Sequence, residues 1–195
     1  MDAPETIDPS SPSEQVWNVP NQLSAARIVL AVGCFFVLSV GWYGAALGLF
    51  VAAAATDWLD GYWARRFNQI TQLGRILDPF ADKLVVCGTF IFLAAIPESR
   101  VAPWMAVVVM SRELLVTALR SFVEQAGGDF SAKWVGKWKM VLQCAAIIGS
   151  LGMLGLEQTG GAFRATVVVL VWSAVGLTLY SGWIYVRLAA KMMRA

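Results

Sequence analysis

Histidine is missing from all 195 residues, and with it go the usual side-chain base near neutral pH, any Ser/His/Asp relay and the common zinc sites. Proton chemistry must then fall to carboxylates, Lys, Tyr, Cys or metal-bound groups. Charge is scarce as well: 14% of the residues are charged against 58% hydrophobic, too apolar a balance for an ordinary soluble domain of this length. The net charge of +2 is small, so its placement matters more than its size, and no nucleic-acid partner is expected. Cysteine is limited to Cys34, Cys87 and Cys144, all inside apolar runs and without metal-type spacing, which predicts three small buried hydrophobes and no disulfide. Residues 1–15 hold Asp2, Glu5, Asp8 and Glu14 among three prolines and lack both a basic end and an apolar stretch. They read as a disordered acidic tail, not a signal peptide.

What remains, 16–195, is a sequence for lipid. A spanning helix needs roughly 20 mainly apolar residues, and six such stretches follow one another: Leu23 to Val40, Trp42 to Ala64, Leu73 to Ile96, Val101 to Glu124, Trp134 to Leu156 and Ala165 to Leu188. The expectation is an all-α membrane protein, a six-helix transmembrane bundle. A short N-terminal interfacial segment around Trp17 precedes it, with Asn21 and Ser24 as caps of the first helix. The fourth stretch is the least clean, because Arg112 and Glu113 lie near its middle. On an alternating path one side of the membrane collects Arg65, Arg66, Arg75, Arg120, Lys133, Lys137, Lys139, Arg187, Lys191 and Arg194, the other only Arg100 and Arg164. That imbalance puts both termini in the cytoplasm.

Chemistry concentrates where the second and third helices meet. Asp57, Asp60, Gly61 and Ala64 recur at helical spacing on one face of the second, and Gly74, Asp78 and Asp82 on one face of the third. A short turn between the helices would let the two carboxylate pairs converge near the cytoplasmic end. One Asp buried in a membrane helix costs about 2.5–3.5 kcal/mol, so four need a compensating charge. Oxygen ligands without His or Cys select hard divalent ions such as Mg²⁺, Mn²⁺ or Ca²⁺, and four carboxylates can hold two of them. The neighbouring small residues leave that face open for a nucleotide to lie against the backbone, although membrane helices also use such residues simply to pack.

The string Asp57-x-x-Asp60-Gly61-x-x-Ala64-Arg65, eight residues, Gly74-x-x-x-Asp78-x-x-x-Asp82 resembles the signature of the CDP-alcohol phosphotransferases at every fixed position. The resemblance implies six helices per protomer, a homodimer in the membrane and an active site open to the cytoplasm of a bacterial-type inner membrane. It implies Asp57, Asp60, Asp78 and Asp82 as ligands of two divalent ions, Mg²⁺ or Mn²⁺, with Asp82 also the proton acceptor. It assigns Gly61, Ala64, Arg65, Thr71 and Gly74, with an N-terminal turn of Asn21, Gln22, Leu23 and Ser24, to the CDP-diacylglycerol headgroup. Softer motifs, Asn18 through Arg27, Ser111-Arg112-Glu113 through Arg120, and Gly136-Lys137-Trp-Lys139 through Gln143, look like the branch whose acceptor is glycerol 3-phosphate, the phosphatidylglycerophosphate synthases. Ser24 and Met140 stand where that branch more often has Thr.

Glycerol 3-phosphate is an anion, and Arg112, Arg120, Lys137 and Lys139 are the cations available for its phosphate. An arginine as deep as Arg112 needs a partner, either a substrate phosphate or an aspartate of the cluster. Lys137 and Lys139 serve equally well as positive-inside anchors. The rivals are another acceptor, inositol phosphate or phosphatidylglycerol as in cardiolipin-type synthases, and, from a different class, a divalent-cation transporter. A transporter predicts acids spread through the membrane depth, whereas these four cluster within one short stretch beside an arginine. An inactive scaffold is disfavoured by the intact aspartates.

Overall fold

The structure is a computed structural model that describes residues 19–67, 72–125, 134–156 and 159–192, with side chains for 21–56, 77–123, 134–156 and 159–192. Among these residues the regular structure is all helix, without strands. Six α-helices follow in order: α1 Val19–Ser39, α2 Tyr43–Phe67, α3 Gln72–Ala94, α4 Pro103–Gln125, α5 Trp134–Gly155 and α6 Gly161–Met192. The boundaries track the apolar runs, because a backbone in lipid has no water to bond and must satisfy itself within the helix. Helix α6 is longer than expected at both ends. A single 3₁₀ turn, Pro97–Ser99, joins α3 to α4. There Ser99 donates to the Leu93 carbonyl at 2.6 Å and accepts from the Val101 amide at 3.1 Å, closing groups the helix end leaves open. The acidic tail and interfacial segment expected before α1 lie outside the described residues.

The N-terminal turn and its caps are corrected. Helix α1 already begins at Val19, with Pro20 in its first turn, where a missing N–H costs nothing. Asn21, Gln22, Leu23 and Ser24 are therefore helical residues. Asn21 and Ser24 point inward, buried, while Gln22 is exposed.

Helix α1 packs against both α2 and α3, α5 against α6 and α2, and α4 against α6 and α3. A large apolar core results, built from residues such as Ala31 and Cys34 of α1, Ala46 and Phe50 of α2, Phe90 and Leu93 of α3, Val109 of α4, Ile147 of α5 and Val171 of α6, with a smaller cluster of Val116 and Val123 of α4 and Tyr185 and Ala189 of α6 apart from it. Small side chains at several of these positions let the helices approach closely. The outer faces are apolar too, with Val32, Phe36, Val107, Val141, Val169 and Trp172 all exposed, as lipid contact requires. Among the described residues, three helices are long and apolar enough to cross a membrane, over Asn21–Ser39, Trp134–Gly155 and Gly161–Met192. Of the others, α3 and α4 carry Asp78, Asp82 and Lys83, and Arg112, Glu113 and Arg120. All of these but Asp78 line one cavity, so what dilutes their hydropathy belongs largely to that cavity.

Candidate active site

Asp57, Asp60, Gly61, Ala64 and Arg65 fall within α2, and Gly74 within α3. Their backbone keeps the helical register read from the sequence, and their side chains lie outside the described residues, as does Thr71 entirely. The second carboxylate pair is described. Asp78 and Asp82, one turn apart on α3, are both half-buried. The Ser24 hydroxyl of α1 donates to Asp78 Oδ1, which fixes the α1–α3 contact at the level of the acids. One turn further along α1, Arg27 is 1% exposed, so a full positive charge is buried beside the helix that carries the aspartates. Helix α3 continues through Pro79, whose carbonyl accepts from Lys83 Nζ at 3.1 Å.

Asp82 opens onto a cavity of about 470 Å³ between α3, α4, α5 and α6, into which Arg112, Glu113, Arg120, Lys137 and Lys139 also project. All four cations assigned to an acceptor phosphate are thus brought together, beside the carboxylate assigned to its hydroxyl. Arg112 and Lys139 are 9% and 7% exposed. The Arg120 Nε is buried and has no hydrogen-bond partner among the described residues, an unmet donor at the wall of an anion-sized space.

Among the described residues Arg112 has in Glu113 a partner that the sequence reading did not offer. Its Nη1 donates to the two carboxylate oxygens of Glu113 at 3.2 and 3.3 Å, its Nε to Ser181 Oγ at 3.1 Å, and its guanidinium lies 5.4 Å from the Tyr185 ring centre. A helix presents consecutive residues about 100° apart, and the long Arg and Glu stems bridge that angle. Glu113 also accepts from Lys139 Nζ at 2.5 Å, so this one carboxylate joins α4 to α5, and through Arg112 to α6. The two lysines divide. Lys139 is buried in this cluster, whereas Lys137 is exposed and rests 5.8 Å from the Trp134 ring centre, a combination suited to a membrane interface. Behind the cavity Gln143 donates to Thr178 Oγ1 at 2.9 Å, a second polar tie from α5 to α6.

Glu113, Ser181 and Tyr185 were not assigned from the sequence. An acid next to an intramembrane arginine was the available signal for Glu113. Nothing local marked Ser181 or Tyr185, which join the site only because α6 packs on α4. Gly182 has a similar explanation: a β-carbon there would sit 3.2 Å from Arg112 Cγ, so the glycine makes room for the arginine stem.

No group of three or more potential metal ligands occurs among the described residues, the α2 pair being outside them. The described half of the donor set, Asp78 and Asp82, offers only carboxylate oxygens, which fits a hard divalent ion.

An apolar helix bundle, two helices with aspartates in i, i+3 and i, i+4 register, and a cationic cavity beside the second of them mark a membrane protein with a charged site among its helices. The sequence profile of the CDP-alcohol phosphatidyltransferases matches residues 17–187, and the chain belongs to that family, whose members generally use divalent metal ions. Three relatives carry the name CDP-diacylglycerol–glycerol-3-phosphate 3-phosphatidyltransferase. The Bacillus subtilis protein is 34% identical over 190 residues, 87% of this chain and 94% of its own. The Escherichia coli K12 protein is 34% identical over 168 residues, 80% and 91%. A second Arabidopsis thaliana form, numbered 2, is 31% identical over 196 residues, 92% and 82%.

Proposed function

We propose that this protein transfers the phosphatidyl group of CDP-diacylglycerol to the free hydroxyl of sn-glycerol 3-phosphate, giving phosphatidylglycerophosphate and CMP. The observation that carries the reading is the cavity in which Asp82 faces Arg112, Arg120, Lys137 and Lys139: one carboxylate for a hydroxyl, and cations for a phosphate at the far end of a small molecule. The names of the relatives supply the same two substrates. Asp57, Asp60, Asp78 and Asp82 would hold two Mg²⁺ or Mn²⁺ ions, and Ser24 orients Asp78 for that task. When bound, such ions supply the positive charge that stabilises the departing CMP phosphate. Gly61, Ala64, Arg65, Thr71 and Gly74, with Asn21 and its neighbours, line the nucleotide side. Asp82 takes the proton from the attacking hydroxyl, and a loose transition state demands little deprotonation before attack. The remaining cations of the cavity hold the acceptor phosphate while that happens. The protein works in a bacterial-type inner membrane as a six-span homodimer, with the aspartate end facing the cytoplasm. Crosslinking in liposomes checks the pairing.

The test is direct. Purified protein with CDP-diacylglycerol and Mg²⁺ is offered sn-glycerol 3-phosphate, an inositol phosphate or phosphatidylglycerol in separate reactions, and CMP release is followed. Release with glycerol 3-phosphate alone, lost on exhaustive chelation and restored by Mg²⁺ or Mn²⁺, is expected. Preference for another acceptor reassigns the cavity, and undiminished turnover in chelator removes the metal.

A further inference from the structure

We propose that Glu113 is a positioning residue of the acceptor cavity: its carboxylate holds Lys139 and Arg112 in the geometry that receives a phosphate dianion. The inference rests on the acceptor reading given above. An acid in the wall of an anion site is a paradox on charge alone, since Coulomb's law makes it repel the ligand. Yet Glu113 is 8% exposed, lines the cavity, and is bonded to both of its most buried cations. Charge does not forbid this arrangement. Among the described residues five cations around the cavity, Lys83, Arg112, Arg120, Lys137 and Lys139, face two carboxylates, Asp82 and Glu113, so within this set an anion is still attracted with Glu113 ionised. Orientation is what the carboxylate adds. Arg112 is already gripped from the α6 side by Ser181 and Tyr185, whereas Lys139 ends in a point charge on a flexible four-carbon stem whose polar partner among the described residues is Glu113. With the ammonium fixed beforehand, the ligand does not have to order it on arrival. The same carboxylate neutralises two buried cations while the cavity is empty, a state in which unpaired charge is costly.

The two effects predict opposite outcomes, which makes the proposal decidable. In the full-length protein in liposomes, Glu113→Gln should raise KM for sn-glycerol 3-phosphate about tenfold or more and leave KM for CDP-diacylglycerol unchanged. Competitive inhibition by inorganic phosphate should weaken in step. Glu113→Asp keeps the charge but withdraws it by one methylene, and should fall between, at about threefold. An unchanged or lower acceptor KM with tighter phosphate inhibition would mean that Glu113 only dilutes positive charge, and the proposal fails. A rise in KM for both substrates together would mark a merely structural role, and the proposal fails again. Should the Gln variant not fold, the Asp variant decides alone: an acceptor KM like that of the parent overturns the inference. If the parent does not use glycerol 3-phosphate, the acceptor reading falls first, and phosphate binding followed by thermal shift in parent and variants still tests Glu113.

Discussion

Both ends of the helix bundle have a cavity lined by arginine and an acid. At the end described above, Arg112, Glu113 and Lys139 are buried, tied across three helices, and flanked by Asp82. At the opposite end a cavity of about 300 Å³ is lined by Tyr43, Glu98, Arg100, Thr159 and Arg164 among others. There Glu98, Arg100 and Arg164 are all exposed, and Arg164 Nε donates to Thr159 Oγ1 at 3.0 Å. The parts are similar and their surroundings are not. An exposed charge is screened by water and moves freely, whereas a buried one acts in low dielectric and is held in place. Burial and cross-helix bonding, more than the presence of charged residues, separate a site from a surface.

The largest effect that would test this contrast is at Asp82. Asp82→Asn should lower turnover by about 10²–10⁴ while CDP-diacylglycerol still binds, if the group moves a proton. Metal content and turnover must be scored separately; turnover within a few-fold of the parent with metal bound normally would leave Asp82 no proton role. Arg112→Met comes next, with an expected fall in kcat/KM for the acceptor of about 100-fold, the size of one lost charge-assisted contact. Steady-state kinetics at saturating CDP-diacylglycerol reads it, and an unchanged value would move the phosphate to Arg120. Gly182→Ala changes no charge. Its β-carbon must displace the Arg112 stem by a few tenths of an ångström, which should raise the acceptor KM by about two- to fivefold without loss of expression. The smallest effect belongs to the opposite end, where Arg100→Gln and Arg164→Gln together should change kcat/KM by less than about twofold. Impermeant thiol labelling adds the sidedness. In a Cys-free background, a cysteine at position 160 should react from outside intact cells and one at position 68 should not; the reverse pattern would invert the topology.

Much of this was legible before any helix was packed. The all-α class followed from apolar runs of spanning length, and the interior face of α3 from the four-residue step between Asp78 and Asp82. The four cations follow from the argument that an anionic acceptor needs positive charge near the aspartates. The reading was weaker wherever it depended on which face meets which. Polar residues after Pro20 suggest Asn21 and Ser24 as helix caps, and the resemblance implies a turn there; the structure places Asn21 to Ser24 inside α1, where the Ser24 hydroxyl has Asp78 to bond. The neighbour Glu113 is a partner of Arg112 that spacing along the chain did not single out. Lys137 and Lys139 were indistinguishable as letters, but two positions along a helix turn by about 200°, which sends one to the surface and the other to the core.

The sequence alone determined the solvent, the helices, the register of the aspartates and the family, because hydropathy and spacing along one chain are local quantities. Only the tertiary structure decided that Arg112, Glu113, Lys139, Ser181 and Tyr185 form one buried cluster beside Asp82. Those residues come from three helices, and their distances depend on how the helices pack, which no local pattern along the chain encodes.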